Sequence, residues 1–210
     1  MKRILLGLLG LVLLILSTEN TMLLIFPMWI FTTLFKDLLR KIMSKVPHDL
    51  GFVTAGLIFG MLTESFAILN NLDLPPNERI LLHPEPLPDL LYGFFYYSFL
   101  ILTWYLLLRK INFSQKDIFL LTAIFGIFTE ETGAVFMRIF TEPLTGPLYA
   151  IIVAFVYGIF PVLAYLLTEE NFSTERVKPK LKHYLLAGFG LFLQYALYGN
   201  FVYQPLENIF

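Results

Sequence analysis

Apolar residues run in seven blocks separated by short polar stretches: 4–18, 21–35, 50–69, 90–108, 118–140, 147–167 and 184–203. The longer blocks approach the ~20 residues that an α-helix needs to cross a bilayer. The first two are short, with Glu19 and Asn20 between them, and read as a tight hairpin of two helices. Met1-Lys2-Arg3 followed by an apolar run also fits a signal peptide. The lack of a small-x-small cleavage site near Ser17 favours a retained helix over residues 1–18.

The polar stretches alternate in charge. Lys2 and Arg3 precede the first block. Lys36, Arg40, Lys41 and Lys45 follow the second, Arg109, Lys110 and Lys116 the fourth, and Arg176, Lys178, Lys180 and Lys182 the sixth. The other connections are nearly free of Lys and Arg, with Arg79 and Arg138 the exceptions. By the positive-inside rule this predicts a multi-pass protein of the cell membrane with a cytoplasmic N-terminus and, with seven spans, an external C-terminus. Composition agrees: 57% of the 210 residues are hydrophobic and 15% charged, against about 45–50% and about 25% in soluble domains. A net charge of −1 argues against a nucleic-acid partner. Cysteine is absent, which removes disulfides, thiol nucleophiles and thiolate metal sites.

The chain also repeats itself. "GLIFGMLTESFAI" at 56–68 resembles "TAIFGIFTEETGAV" at 122–135, with Gly60, Thr63 and Glu64 matching Gly126, Thr129 and Glu130 at an offset of 66. Arg79-Ile80 matches Arg138-Ile139, and Asn112-Phe113-Ser114 matches Asn171-Phe172-Ser173, both at an offset of 59. The difference, 66 − 59 = 7, places an insertion in the first copy's outer loop. "AGFGLFLQYALYGN" at 187–200 reads as a partial third copy with Gln194 in the Glu place. The expected fold is therefore an all-α, polytopic transmembrane bundle of about seven spans, built from tandem parallel helical-hairpin repeats. It forms a single transmembrane domain over 1–210: a hairpin at 1–49, repeats at 50–116 and 117–183, and a partial repeat at 184–210.

This pattern turns attention to the carboxylates inside the blocks. Ionisable groups at membrane depth are costly and by default mark pathways or reaction centres. Gly60, Thr63 and Glu64 share one helix face, as do Gly126, Thr129, Glu130 and Gly133. Each Glu then faces the bundle rather than lipid, and Gln194 faces the same interior. Glu131 lies seven residues before Arg138, on nearly the same helical stripe, which allows a charge pair. A carboxylic acid kept protonated near neutral pH serves as a general acid or as a proton carrier. The plainer alternative is a neutral buried network that fixes helix packing.

Other features are weaker. His48, His83 and His183 fall in or beside loops, so no histidine metal site is expected. The loop "HPEPLPD" at 83–89 reads either as a rigid turn before a helix starting near Leu90 or as a lid supplying Glu85 or Asp89. The chain has 22 Phe and 11 Tyr. Interfacial belts account for many of these, and an aromatic-lined cavity for an extended apolar substrate is the sharper reading.

The segment 64–105 resembles one repeat of the small membrane-embedded lycopene cyclases. Glu64 stands in the place of the family's helix acid, "PPNER" with Arg79 in that of its Asn-Pro-Arg-like loop, and "PLPDLLYGFF" at 86–95 in that of its acidic helix start, with Asp89 as the second acid and Pro88 replacing the first. Glu130 followed by Gly133 is similar to a helix motif of related carotenoid hydratases. The second copy departs from the pattern, having "TGPLY" at 145–149. The resemblance implies an isoprenoid- or carotenoid-modifying membrane enzyme, an isomerase or hydratase without a cofactor, working on a hydrophobic small molecule. Glu64, Glu130, Glu131 and Asp89 are then the candidate catalytic acids. Arg79, Arg138, Gln194, Thr63 and Thr129 are the candidate substrate-binding residues. The alternative is a small proton- or cation-coupled transporter or channel. The lipid bilayer is the one certain partner, and self-association is left open.

Reporter fusions after Lys45, Lys116 and Lys182 are expected to report the cytoplasm, and one within 70–80 the outside. A cytoplasmic report from 70–80 would overturn the orientation and the parallel repeat together.

Overall fold

The computed structural model describes residues 1–173 and 175–209. It is helical throughout: α1 (Lys2–Leu16), α2 (Ile25–Leu34), α3 (Lys36–Met43), α4 (Gly51–Asn71), α5 (Pro86–Leu108), α6 (Gln115–Thr129), α7 (Ala134–Thr141), α8 (Thr145–Thr168), α9 (Leu181–Tyr198) and α10 (Gln204–Glu207). Among the described residues five stretches are long and apolar enough to cross a membrane: Gly51–Asn71, Pro86–Leu108, Gln115–Thr141, Thr145–Asn171 and Leu181–Glu207. A sixth qualifies if the bent pair Thr21–Leu34 and Lys36–Met43 is taken as one span.

The N-terminal part differs from two plain spans. α1 has 15 residues, ~22 Å of helix, short of the ~30 Å hydrocarbon core. The second block turns by 83° into α3, which carries Lys36, Arg40 and Lys41 on one side and Leu38, Leu39 and Ile42 on the other. That amphipathic pattern explains the bend, because a helix of this kind is stable with only one face in an apolar medium. Asn70 ties the hairpin to the bundle. Its Oδ1 accepts from the backbone N–H and the hydroxyl of Thr21, and its Nδ2 donates to the carbonyls of Ser17 and Thr18.

α4, α5, α6 and α8 form the body: α6 packs on α8, α4 on both α5 and α8, and α9 leans on α5 and α6. The basic residues gather at one end. There Arg40 bonds Glu169, Glu170 and the carbonyl of Leu166. Arg176 donates to the carbonyl of Leu108 at 3.3 Å. The segments that follow α5 and α8 meet at this end through a parallel bridge between Ile111 and Val177. Just inside it, Trp104, fully buried, donates from Nε1 to the Thr122 hydroxyl at 2.9 Å, and that hydroxyl donates to the Ile118 carbonyl at 2.8 Å. The opposite end, here called distal, holds the turn after α1, the loop 72–85 and the C-terminal end of α9.

Two close approaches set how tightly the body packs. A Cβ on Gly60 would lie 2.4 Å from Cγ of Tyr97, and a Cβ on Gly126 would lie 2.3 Å from Cγ of Tyr157. The missing side chain on one helix is the seat of a tyrosine ring on the next, as small residues commonly provide between membrane helices. Gly126→Ala is therefore expected to lower stability by about 1–3 kcal/mol through overpacking, read as a lower thermal midpoint in detergent. An unchanged midpoint would contradict this packing.

Candidate functional site

The fifth apolar block is not one helix. α6 ends at Thr129, and Glu130 takes extended backbone angles, φ −60 and ψ 134. Glu131, Thr132 and Gly133 then adopt positive φ of 49, 55 and 91 before α7 begins. Left-handed geometry costs an L-residue ~1–2 kcal/mol, and glycine at 133 is the one residue of the three that adopts it freely. The expected single face of Gly126, Thr129, Glu130 and Gly133 is corrected accordingly, since Gly133 lies beyond the break. So is the expected helical stripe from Glu131 to Arg138. Their pairing is present all the same, made across the turn. Arg138 holds Glu131 with a two-pronged contact, Nη2 to Oε2 at 2.5 Å and Nη1 to Oε1 at 3.2 Å. The Tyr149 hydroxyl donates to Oε1 at 2.9 Å, and the guanidinium lies 5.3 Å from the Tyr149 ring centre. A bidentate, charge-assisted pair of this kind is among the stronger polar contacts. Here it fixes the strained turn.

Glu130, freed from helical direction, points to α8, where the Tyr157 hydroxyl donates to its Oε2 at 2.5 Å. Glu64 has an equivalent environment. It is buried, and the Tyr97 hydroxyl lies at its carboxyl. Thr63 and Thr129 donate to carbonyls one turn back, Phe59 at 3.1 Å and Phe125 at 2.9 Å, so both hydroxyls are engaged within their own helices. Gly60, Thr63, Glu64 and Tyr97 are thus matched, contact by contact, by Gly126, Thr129, Glu130 and Tyr157.

Glu64 has one neighbour that Glu130 lacks. Its side chain runs over Gly93 of α5, where a Cβ would lie 2.7 Å from its Cγ, and its carboxyl lies against that of Asp89. α5 begins at Pro86, earlier than the expected start near Leu90, because proline suits the first helical position. Asp89 therefore sits in the first turn of the helix, where its carboxyl benefits from the dipole. It is fully buried, and its Oδ1 accepts from the His83 N–H at 2.9 Å. Glu85, the other candidate of that loop, is exposed.

The remaining candidates are placed as follows. Arg79 spends its guanidinium on the carbonyls of Leu72, Leu74 and Pro84, clamping the distal loop. Gln194 is buried on the face of α9 toward α5. The structure thus gathers Glu64, Asp89 and Glu130 in the distal half of the bundle, while Gln194 is buried on α9 with no bond to any of them. Glu131 and Arg138 form a separate pair next to Glu130, and Arg79 stands apart. Sequence reasoning missed the tyrosines, which read as belt residues. The repeat carried a signal for them, displaced by one residue: at the offset of 59 Tyr97 falls on Val156, next to Tyr157.

The turn offers its own test. Thr132→Gly is expected to raise stability by about 1 kcal/mol, as the strain of a β-branched residue in left-handed geometry is relieved. Arg138→Gln is expected to lower it. Thermal midpoints decide, and a destabilised Thr132→Gly would mean that the left-handed turn is absent from the folded protein.

No protein-family model matches the chain, and no curated protein or solved structure does. The resemblance to membrane-embedded lycopene cyclases accordingly stands on the quoted residues alone.

Proposed function

We propose that this chain is an integral membrane enzyme that transfers protons to and from a hydrophobic, isoprenoid- or carotenoid-like substrate, with the Glu64/Asp89 pair as its acid and base. The observation that carries the reading is the contact of two buried carboxyls from adjacent helices, with no Lys or Arg bonded to either among the described residues and His83 beside Asp89. Two such groups away from water are accommodated by one proton held between them. A shared proton of this kind is available for donation. In the proposed reaction it passes to one carbon of a C=C bond and leaves a carbocation on the other. Ring closure followed by loss of a proton to the carboxylate restores the pair, so no redox partner is needed. Addition of water, with release of its proton to the same carboxylate, balances equally. Glu130 with Tyr157 is the corresponding acid of a duplicated half, and the helical-hairpin repeat, with seven spans and the basic end in the cytoplasm, belongs to the same proposal.

A proton-coupled transporter needs polar groups toward both faces. The carboxyls and tyrosines of the site lie in the distal half. Toward the basic end they give way to Leu100, Ile101, Trp104 and Leu108, all fully buried. This favours the enzyme.

Co-expression with a carotenoid pathway, read by pigment absorbance, tests the proposal. The parent is expected to convert pigment. Glu64→Gln and Asp89→Asn are expected to fold and to lose ~10²–10⁴-fold in rate, the usual share of acid–base catalysis. Full conversion by both variants would remove the pair from the chemistry. No conversion by the parent would move the proposal away from carotenoids.

A further inference from the structure

Native interiors contain few buried polar atoms without partners, and each calls for an explanation. Among the described residues five buried side-chain atoms lack an ordinary donor or acceptor: Asp89 Oδ2, which meets the Glu64 carboxyl and is answered by the shared proton, and the Tyr92 and Tyr96 hydroxyls and both Nε2 and Oε1 of Gln194, which are left open. They are not scattered. Asp89, Tyr92 and Tyr96 follow one another along one face of α5 at i, i+3 and i+7. Gln194 lies one turn before Tyr198 on the buried face of α9. Tyr198 stands edge-on to Tyr96 with ring centres 5.4 Å apart, and its hydroxyl donates to the Tyr92 carbonyl at 3.3 Å. The four open atoms therefore belong to the seam between α5 and α9, which adjoins the Glu64/Asp89 pair at Asp89.

The two ends of the seam differ. At the distal end half-buried Tyr203 meets Tyr92, ring centres 5.1 Å apart. There α9 loosens into a π-helical turn, Gly199–Tyr203, a feature that often marks functional positions. Toward the basic end the seam is closed by Leu100 and Trp104, both fully buried.

The chemistry of the lining selects the ligand. A glutamine amide offers a donor and an acceptor, a tyrosine hydroxyl offers both at once, and a carboxylate oxygen accepts. Rings this close leave no space for a carbon skeleton. Water satisfies such a set, because each molecule both donates and accepts and a buried one makes about three hydrogen bonds. We propose that the α5–α9 seam is a water-binding file that enters beside Tyr203, ends on Gln194, and connects the Glu64/Asp89 pair with water on the distal side of the membrane. The use made of the proton there rests on the enzyme reading. The file itself does not.

Hydroxyl-radical footprinting of the protein in lipid nanodiscs, without substrate, tests this, since radicals formed from bound water mark the side chains beside it. Tyr92 and Tyr96 are expected to be oxidised several-fold faster than Trp104, although all three are buried. Gln194→Leu is expected to reduce labelling at Tyr96 several-fold while leaving Tyr203 unchanged. If Gln194→Leu does not fold, Tyr92→Phe is expected to lower labelling at Tyr96 in the same way by breaking the file nearer its mouth. Labelling of Tyr92 and Tyr96 in the parent no faster than that of Trp104 would overturn the file. Undiminished Tyr96 labelling in a folded Gln194→Leu would overturn its ending on Gln194. No substrate enters the measurement, so a dry seam and an absent pigment conversion are distinguishable failures.

Discussion

Carboxyl groups inside a helical bundle at membrane depth must be satisfied chiefly by the groups buried with them, because bulk water does not surround them there. That constraint organises the distal half of this protein. Glu64 can be enclosed only if α5 comes close, and α5 comes close because Gly60 and Gly93 leave room for Tyr97 and for the Glu64 side chain itself. Glu130 is enclosed in the same way, with Gly126 seating the ring of Tyr157. Each acid thus arrives with a small residue one turn before it and a tyrosine from the next helix. Neither the close packing nor the polar contact is available without the other.

The difference between the halves follows from what lies next to each acid. Beside Glu64 stands a second buried carboxyl, Asp89, brought in by a helix that starts on Pro86. Beside Glu130 the backbone leaves the helix, and Glu131 is drawn away into its contact with Arg138 and Tyr149. One half therefore sets two acids together with only the imidazole of His83 beside them among the described residues, and the other pairs its extra acid with Arg138. The same sequence signature yields two adjoining buried carboxyls in one place and an ion-paired turn in the other.

Much of this was legible in the chain. Block lengths and the alternation of Lys and Arg foretold long apolar helices and a basic end, because bilayer thickness and charge placement act on composition alone. Gly60-x-x-Thr63-Glu64 and its echo marked the acids, since small residues and an acid on one face are visible as spacing. Three things were hidden. The break after Thr129 is held by Arg138 and Tyr149, contacts across sequence that local propensity does not carry. Arg79 looked like a site residue, but its donors are absorbed by free carbonyls near the end of α4 and in the loop that follows it. The tyrosines looked like an interfacial belt, because a hydroxyl's inward or outward aim depends on helix rotation, which a one-residue shift between copies disguised.

Infrared spectroscopy of the purified protein in bilayers at neutral pH tests the shared proton of Glu64 and Asp89 most directly. A protonated carboxyl has a C=O stretch distinct from carboxylate bands, and it shifts when the proton is exchanged for deuterium. A protonated-carboxyl band that shifts in heavy water and is lost in the Glu64→Gln, Asp89→Asn double variant is the expected result. A parent spectrum with carboxylate bands only, or a protonated band untouched by the double substitution, would contradict the pair as the protein's proton store.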